Sequence, residues 1–135
     1  MHRLVGQYDS PFLRRVAVTM QYYGIPYERD VLSVFRNADQ VAEINPLIKV
    51  PVLILPGGEN IFDSQMILDY LDEEAGPAKA LTPAKGAERR TVLRAVTIGW
   101  GLAEKSVALS IDKNLHANAP SLQWRHRVRH QIKLC

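Results

Sequence analysis

One cysteine in 135 residues, Cys135, leaves this chain without an internal disulfide, a Cys-x-x-Cys redox pair or a cysteine-based zinc site. At the last position it reads as an incidental exposed thiol. No apolar run approaches the roughly 20 residues needed to cross a bilayer. Met1-His2-Arg3 passes straight into strand-like sequence, with no long apolar core and no small-residue cleavage site behind it. A secretory signal and a membrane partner are therefore not expected, and the cytoplasm is the default location. His2, His116, His126 and His130 show no metal spacing, so no metal is expected either. Excess charge is small: 17 Lys and Arg against 14 Asp and Glu give +3, with a pI near 9.2. The basic residues cluster only at Arg125, Arg127, Arg129 and Lys133. That cluster reads as a solvated helix face, and no nucleic-acid partner is expected.

What is present is an ordinary globular composition, 47% hydrophobic and 23% charged, long enough for one domain with a core plus an incomplete second one. The organising stretch is Arg3 to Val16. Leu4-Val5 is a short apolar run, Gln7 to Ser10 a polar turn, and Phe12, Val16, Met20 and Tyr23 follow at helical spacing. Ser10 stands at the N-cap with Pro11 at the first helical position. Its hydroxyl is thus held where backbone N–H groups and the positive end of the helix dipole point outward.

Gly24-Ile25-Pro26 stops that helix, and Tyr27 to Val34 alternates as a second strand, completing a parallel βαβ unit. Asn37 to Ile44 is a short helix ended by Pro46. Val52 to Leu55 is an uninterrupted apolar strand with Pro51 directly in front of it. A trans strand entry is the commoner outcome for that proline. A cis Val50-Pro51 bond would instead turn the Val50 backbone outward, free to pair with an extended peptide. Pro56 to Glu59 is a turn, Asn60 to Phe62 a returning strand, and Asp63 or Ser64 caps a helix carrying Ile67, Leu68 and Leu71. The expected arrangement is α/β (α+β): a mixed four-stranded sheet over residues 1–76, a linker over 77–87 rich in Gly, Pro, Ala and Lys, and a partial helical domain over 88–135. That domain holds a long helix from Glu88 to Ile111 with a seam of Val92, Val96, Trp100, Ala103, Val107 and Ile111. A polar break from Asp112 to Pro120 and a last helix from Ser121 to Leu134 follow it.

Taken singly, Ser10, Asp63 and Ser64 are common helix starters. In order, though, Ser10-Pro11-Phe12 with Arg15-Val16, then Asn45-Pro46 and Lys49-Val50-Pro51-Val52-Leu53, then Asp63-Ser64 before Ile67-Leu68-Asp69-Tyr70-Leu71 resemble the three signature segments of serine-using cytosolic glutathione transferases. The resemblance covers the whole first domain. It implies a thioredoxin-like N-terminal domain, an all-α C-terminal domain, a homodimer, and glutathione as co-substrate attacking a small electrophile in a detoxifying reaction. Ser10 would hydrogen-bond the glutathione sulfur, beside Phe12. Val50, ahead of Pro51, would pair with the cysteinyl unit, Asp63 and Ser64 would hold the γ-glutamyl end, and Arg36 or Lys49 the glycine carboxylate. Such a family's helical domain is longer than Glu88 to Leu134 supplies, so a partial transferase is expected. Two other uses of the fold stay open: a non-catalytic interaction module of the stringent-starvation type, favoured by the late basic cluster, and a glutathione-dependent reductase or peroxidase, which usually carries cysteine where Ser10 stands.

The chemistry supports such a serine role. A thiol with a pKa of about 8.5 is only a few per cent thiolate at neutral pH, and the thiolate is the nucleophile. A charge-assisted hydrogen bond contributes roughly 1.5–3 kcal/mol, equivalent to about one to two pKa units.

Overall fold

The structure, a computed structural model, describes residues 1–119 and 121–135. It divides into two units, Met1–Pro83 and Ala84–Cys135. In the first, strands β1 (His2–Val5), β2 (Tyr27–Asp30), β3 (Val52–Ile54) and β4 (Asn60–Ile61) form one mixed sheet in the order β2-β1-β3-β4. Helices α1 (Pro11–Tyr23), α2 (Ala38–Ile44) and α3 (Ser64–Ala75) connect or follow them. β1 pairs parallel with β2 across α1, and antiparallel with β3, which pairs antiparallel with β4. This is the thioredoxin-like architecture expected from the sequence.

α1 begins where Ser10 caps and Pro11 supplies a preset φ, and ends where Gly24 takes φ +69°. The Gly24 N–H then reaches the carbonyls of the last turn, the left-handed stop that glycine accepts without strain. Leu13, Val16, Ala17 and Met20 of α1 and Ile67 and Leu71 of α3 join Leu4, Leu53 and Ile61 of the sheet in one core. Full burial of side chains of this kind contributes about 1.5–3 kcal/mol each.

Three expectations need correction. β2 stops at Asp30, not Val34: β1 ends at Val5, so the ladder has no further partner, and the chain turns through Leu32 N–H donating to Asp30 O at 3.1 Å. β4 ends at Ile61, one residue before Phe62.

In the second unit α4 runs Gly86–Leu115, through part of the expected break, and α5 runs Leu122–Leu134 with Ser121 as its cap. Pro120, the end of that break, lies outside the described residues. The anticipated seam is the less exposed face of α4: Val92, Trp100, Ala103, Val107 and Ile111 are half-buried, Val96 is exposed, and Leu109 beside the seam is buried. The C-terminal part of α4 is paired with α5, where Val128 is buried and Arg125 donates to the Asp112 carboxylate and to the main-chain oxygens of Asp112 and His116. Asp112 also meets His116. The Arg125 hydrogen bond foremost, and His116 after it, hold its carboxyl below the usual range against the opposing effect of burial.

Candidate functional site

Sheet register decides which loops can cooperate. Val5, the end of β1, stands opposite Asp30, the end of β2, and opposite Val52, the start of β3. Leu53 stands opposite Ile61, the end of β4. The segments leaving β1, β2 and β4 and the one entering β3 therefore emerge from a single edge of the sheet. Ser10, Val50, Asp63 and Ser64 lie on these segments.

Ser10 is half-buried, its backbone extended at φ −72° and ψ 120°. Its main-chain N–H donates to Gln7 O at 3.1 Å, and its Oγ accepts from Leu13 N–H at 3.3 Å. An oxygen that accepts from the helix still has its own proton to donate. Phe12 is half-buried in the same turn. Tyr8, two residues before Ser10, is occupied elsewhere. Its hydroxyl lies 2.9 Å from that of Tyr27, its ring packs on the core, and the Arg29 guanidinium sits 3.8 Å over its centroid. Burial, with the Tyr8 hydroxyl second, pushes the Tyr27 phenol up to about 12.

The Val50-Pro51 bond is cis, with Pro51 buried and Val50 half-buried. Among the described residues no main-chain hydrogen bond is formed at Val50, which lies outside the β1–β3 ladder. The loop before it is closed by buried Asn45, whose Nδ2 donates to Lys49 O at 2.8 Å and whose Oδ1 accepts from Leu47 N–H at 3.0 Å.

At the third segment the Phe62-Asp63 bond is also cis. Asp63 is the N-cap of α3, accepting from Gln65 N–H at 2.7 Å. Ser64 is 1% exposed, and its Oγ has no hydrogen-bond partner. Arg15 of α1, half-buried, feels the Asp63 carboxylate: burial lowers its pKa and Asp63 pulls it back. Arg36 and Lys49 are both exposed, on either side of α2. A hollow in the second unit, lined by Ala108, Ile111, Asp112, His116, Ser121 and Trp124, contains none of these residues.

Asn45 and Arg15 matter more than their sequence signals suggest. Each stands inside a recognised segment; Asn45 closes its own turn through Leu47 and Lys49, whereas Arg15 meets Asp63, a part of the chain that composition and periodicity do not pair with it. Among the described residues no cluster of three or more His, Cys, Asp or Glu could hold a metal, and no helix is long and apolar enough to cross a membrane.

Comparison with known proteins agrees with this fold. The family model described as glutathione S-transferase, N-terminal domain, matches residues 4–79. An uncharacterized GST-like protein, YibF of Escherichia coli, is 37% identical over 103 residues, covering 76% of this chain and 50% of that one. Glutathione S-transferase U4 of Arabidopsis thaliana is 36% identical over 72 residues, covering 53% and 32%. This chain thus spans half or less of these relatives' length. Among solved structures, a glutathione transferase family member from Pseudomonas fluorescens with bound glutathione superposes with a TM-score of 0.87 at 28% identity, over 98% of this chain and 67% of the other. A glutathione S-transferase from Methylobacterium radiotolerans in complex with glutathione sulfonate gives 0.89 at 27%, over 98% and 62%. With its family domain matched over more than half its length, and the three loops gathered at one sheet edge, the chain belongs to the glutathione S-transferase family.

Proposed function

We propose that this protein binds glutathione at the shared sheet edge and uses Ser10 to keep the sulfur ionised for attack on a small electrophile. The observation that carries this reading is the state of the Ser10 hydroxyl: its oxygen accepts from the Leu13 N–H, and its proton is left to donate to a thiolate at the N-terminus of α1. Val50 presents main-chain groups to the cysteinyl unit. The α3 N-terminus receives the γ-glutamyl end, with Asp63 accepting from the ammonium and Ser64 donating to the carboxylate. A buried hydroxyl without an acceptor costs about 1–3 kcal/mol, and the γ-glutamyl carboxylate supplies that acceptor. Arg36 or Lys49 holds the glycine carboxylate. The working protein is a cytoplasmic homodimer acting in detoxification, and sedimentation of the purified protein tests the dimer.

The direct experiment titrates glutathione into the protein and then compares Ser10→Ala with wild type in a conjugation assay. Turnover should fall far more than binding weakens. Full activity in Ser10→Ala would remove Ser10 from the reaction. Absence of glutathione binding together with a stable hetero-complex would favour an interaction module instead.

A further inference from the structure

Gly6 separates the Ser10 loop from the Val50 segment. It is buried, its φ is +132°, and its N–H is tied to Asp30 O at 2.9 Å. A Cβ at this position would lie 2.5 Å from Leu13 Cδ1, 2.9 Å from Val50 Cβ and 3.2 Å from Val50 Cγ2. The two neighbours differ in what they can concede. Leu13 Cδ1 is the far end of a flexible side chain and can swing away. Val50 Cβ is bonded to the main chain and retreats only if the backbone ahead of Pro51 moves. The depth at which Val50 sits against the end of β1 therefore depends on the missing side chain at residue 6.

We propose that Gly6 is a positioning residue, setting the Val50 main chain at the distance from Ser10 at which one bound peptide thiol reaches both. The inference rests on the glutathione reading above and adds to it a division of labour. The Ser10 end is tethered without Val50, through Ser10 N–H to Gln7 O, Leu13 N–H to Ser10 Oγ, and the Arg14 side chain to Tyr8 O. Displacing Val50 should therefore cost glutathione affinity and leave the ionisation of bound sulfur unchanged.

Glutathione titration of wild type, Gly6→Ala, Val50→Gly and the double variant tests this, with the pH dependence of the bound thiolate absorbance as second readout. Gly6→Ala should weaken binding by about tenfold, the scale of one well-placed hydrogen bond to a charged or strongly polar group. The bound-thiol pKa should stay at the wild-type value, and the two substitutions should be less than additive, because the second removes the Cβ that the first collides with. Wild-type affinity in Gly6→Ala, a thiol pKa that moves with affinity, or strict additivity would each overturn the proposal.

Should Gly6→Ala fail to fold, Gly6→Ala/Leu13→Val removes the closest collision and carries the same measurements, and wild-type affinity in that variant also overturns it. If the wild-type protein binds no glutathione, the functional reading fails separately. Gly6 is then judged on the amide resonances of Val50 and Val52, which shift in Gly6→Ala if the residue positions that segment and do not if it does not.

Discussion

Ser64 and Asn45 make opposite predictions, because one buried polar group is unpartnered and the other is fully used. Ser64→Ala removes a desolvated hydroxyl with no acceptor, so the ligand-free protein should keep its denaturation midpoint or gain slightly. Its glutathione affinity should fall by about ten- to a hundredfold, the loss of one hydrogen bond to a carboxylate. A large loss of ligand-free stability would show that the hydroxyl is satisfied in the fold. Asn45→Ala removes the two hydrogen bonds, to Lys49 O and from Leu47 N–H, that close a turn whose other residues are exposed. It should cost about 1–3 kcal/mol in urea denaturation and weaken glutathione binding as well, since the turn leads directly into Val50. Ser10 was legible from sequence because a cap is a local fact: the residue type, the following proline and the apolar periodicity all lie within a few positions. Gly6 was not, because what matters about it is which distant atom, Val50 Cβ, a side chain there would meet.

Between elements, the polar joint at Asp72 and Tyr23 ties α1, α3 and the segment after α3 together. Tyr23 donates to the Asp72 carboxylate, and that carboxylate also accepts from Leu81 N–H at 3.2 Å and Thr82 N–H at 3.1 Å. Burial first, and the Asp72 hydrogen bond second, push the Tyr23 phenol up to about 12. The neutral phenol is favoured in the fold, so its contribution is complete below the ordinary tyrosine value of 10.0 and is lost as pH rises toward 12. Tyr23→Phe should flatten the alkaline limb of stability between those values, measured as thermal midpoint against pH. An unchanged slope would place the titration elsewhere. Asp112 between α4 and α5 carries the opposite sign. Its carboxyl is held below the usual range by Arg125, so its stabilisation is complete above the ordinary aspartate value and is lost as pH falls through the lower folded one. Asp112→Asn should remove that acid-side loss from the unfolding of the second unit, followed by amide exchange of α5. The length of β2 was not legible, because alternation over Tyr27 to Val34 says nothing of where its neighbour ends. The α4 seam was legible as a face, five of its six residues being half-buried, but a periodic apolar pattern does not say how fully the fold covers it.

Across the whole molecule the two units differ in charge and in what they contain. Residues 1–83 hold 7 Lys and Arg against 11 Asp and Glu, net −4, whereas residues 84–135 hold 10 against 3, net +7. The proposed glutathione site is built entirely from the first unit, within the matched N-terminal domain. The order of strands and loops was legible there because three motifs in sequence specify one thioredoxin-like sheet edge. The second unit offers no comparable motif. Since the site is confined to one unit, saturating glutathione at about 100 times its Kd should stabilise that unit by about 2.7 kcal/mol. The most direct measurement of the central claim is the ultraviolet absorbance of protein-bound glutathione thiolate as a function of pH, for wild type and Ser10→Ala. The account predicts a bound-thiol pKa about one to two units below the free value of about 8.5 in wild type, and a return toward that value in Ser10→Ala with glutathione still bound. The same low pKa in both proteins would contradict it.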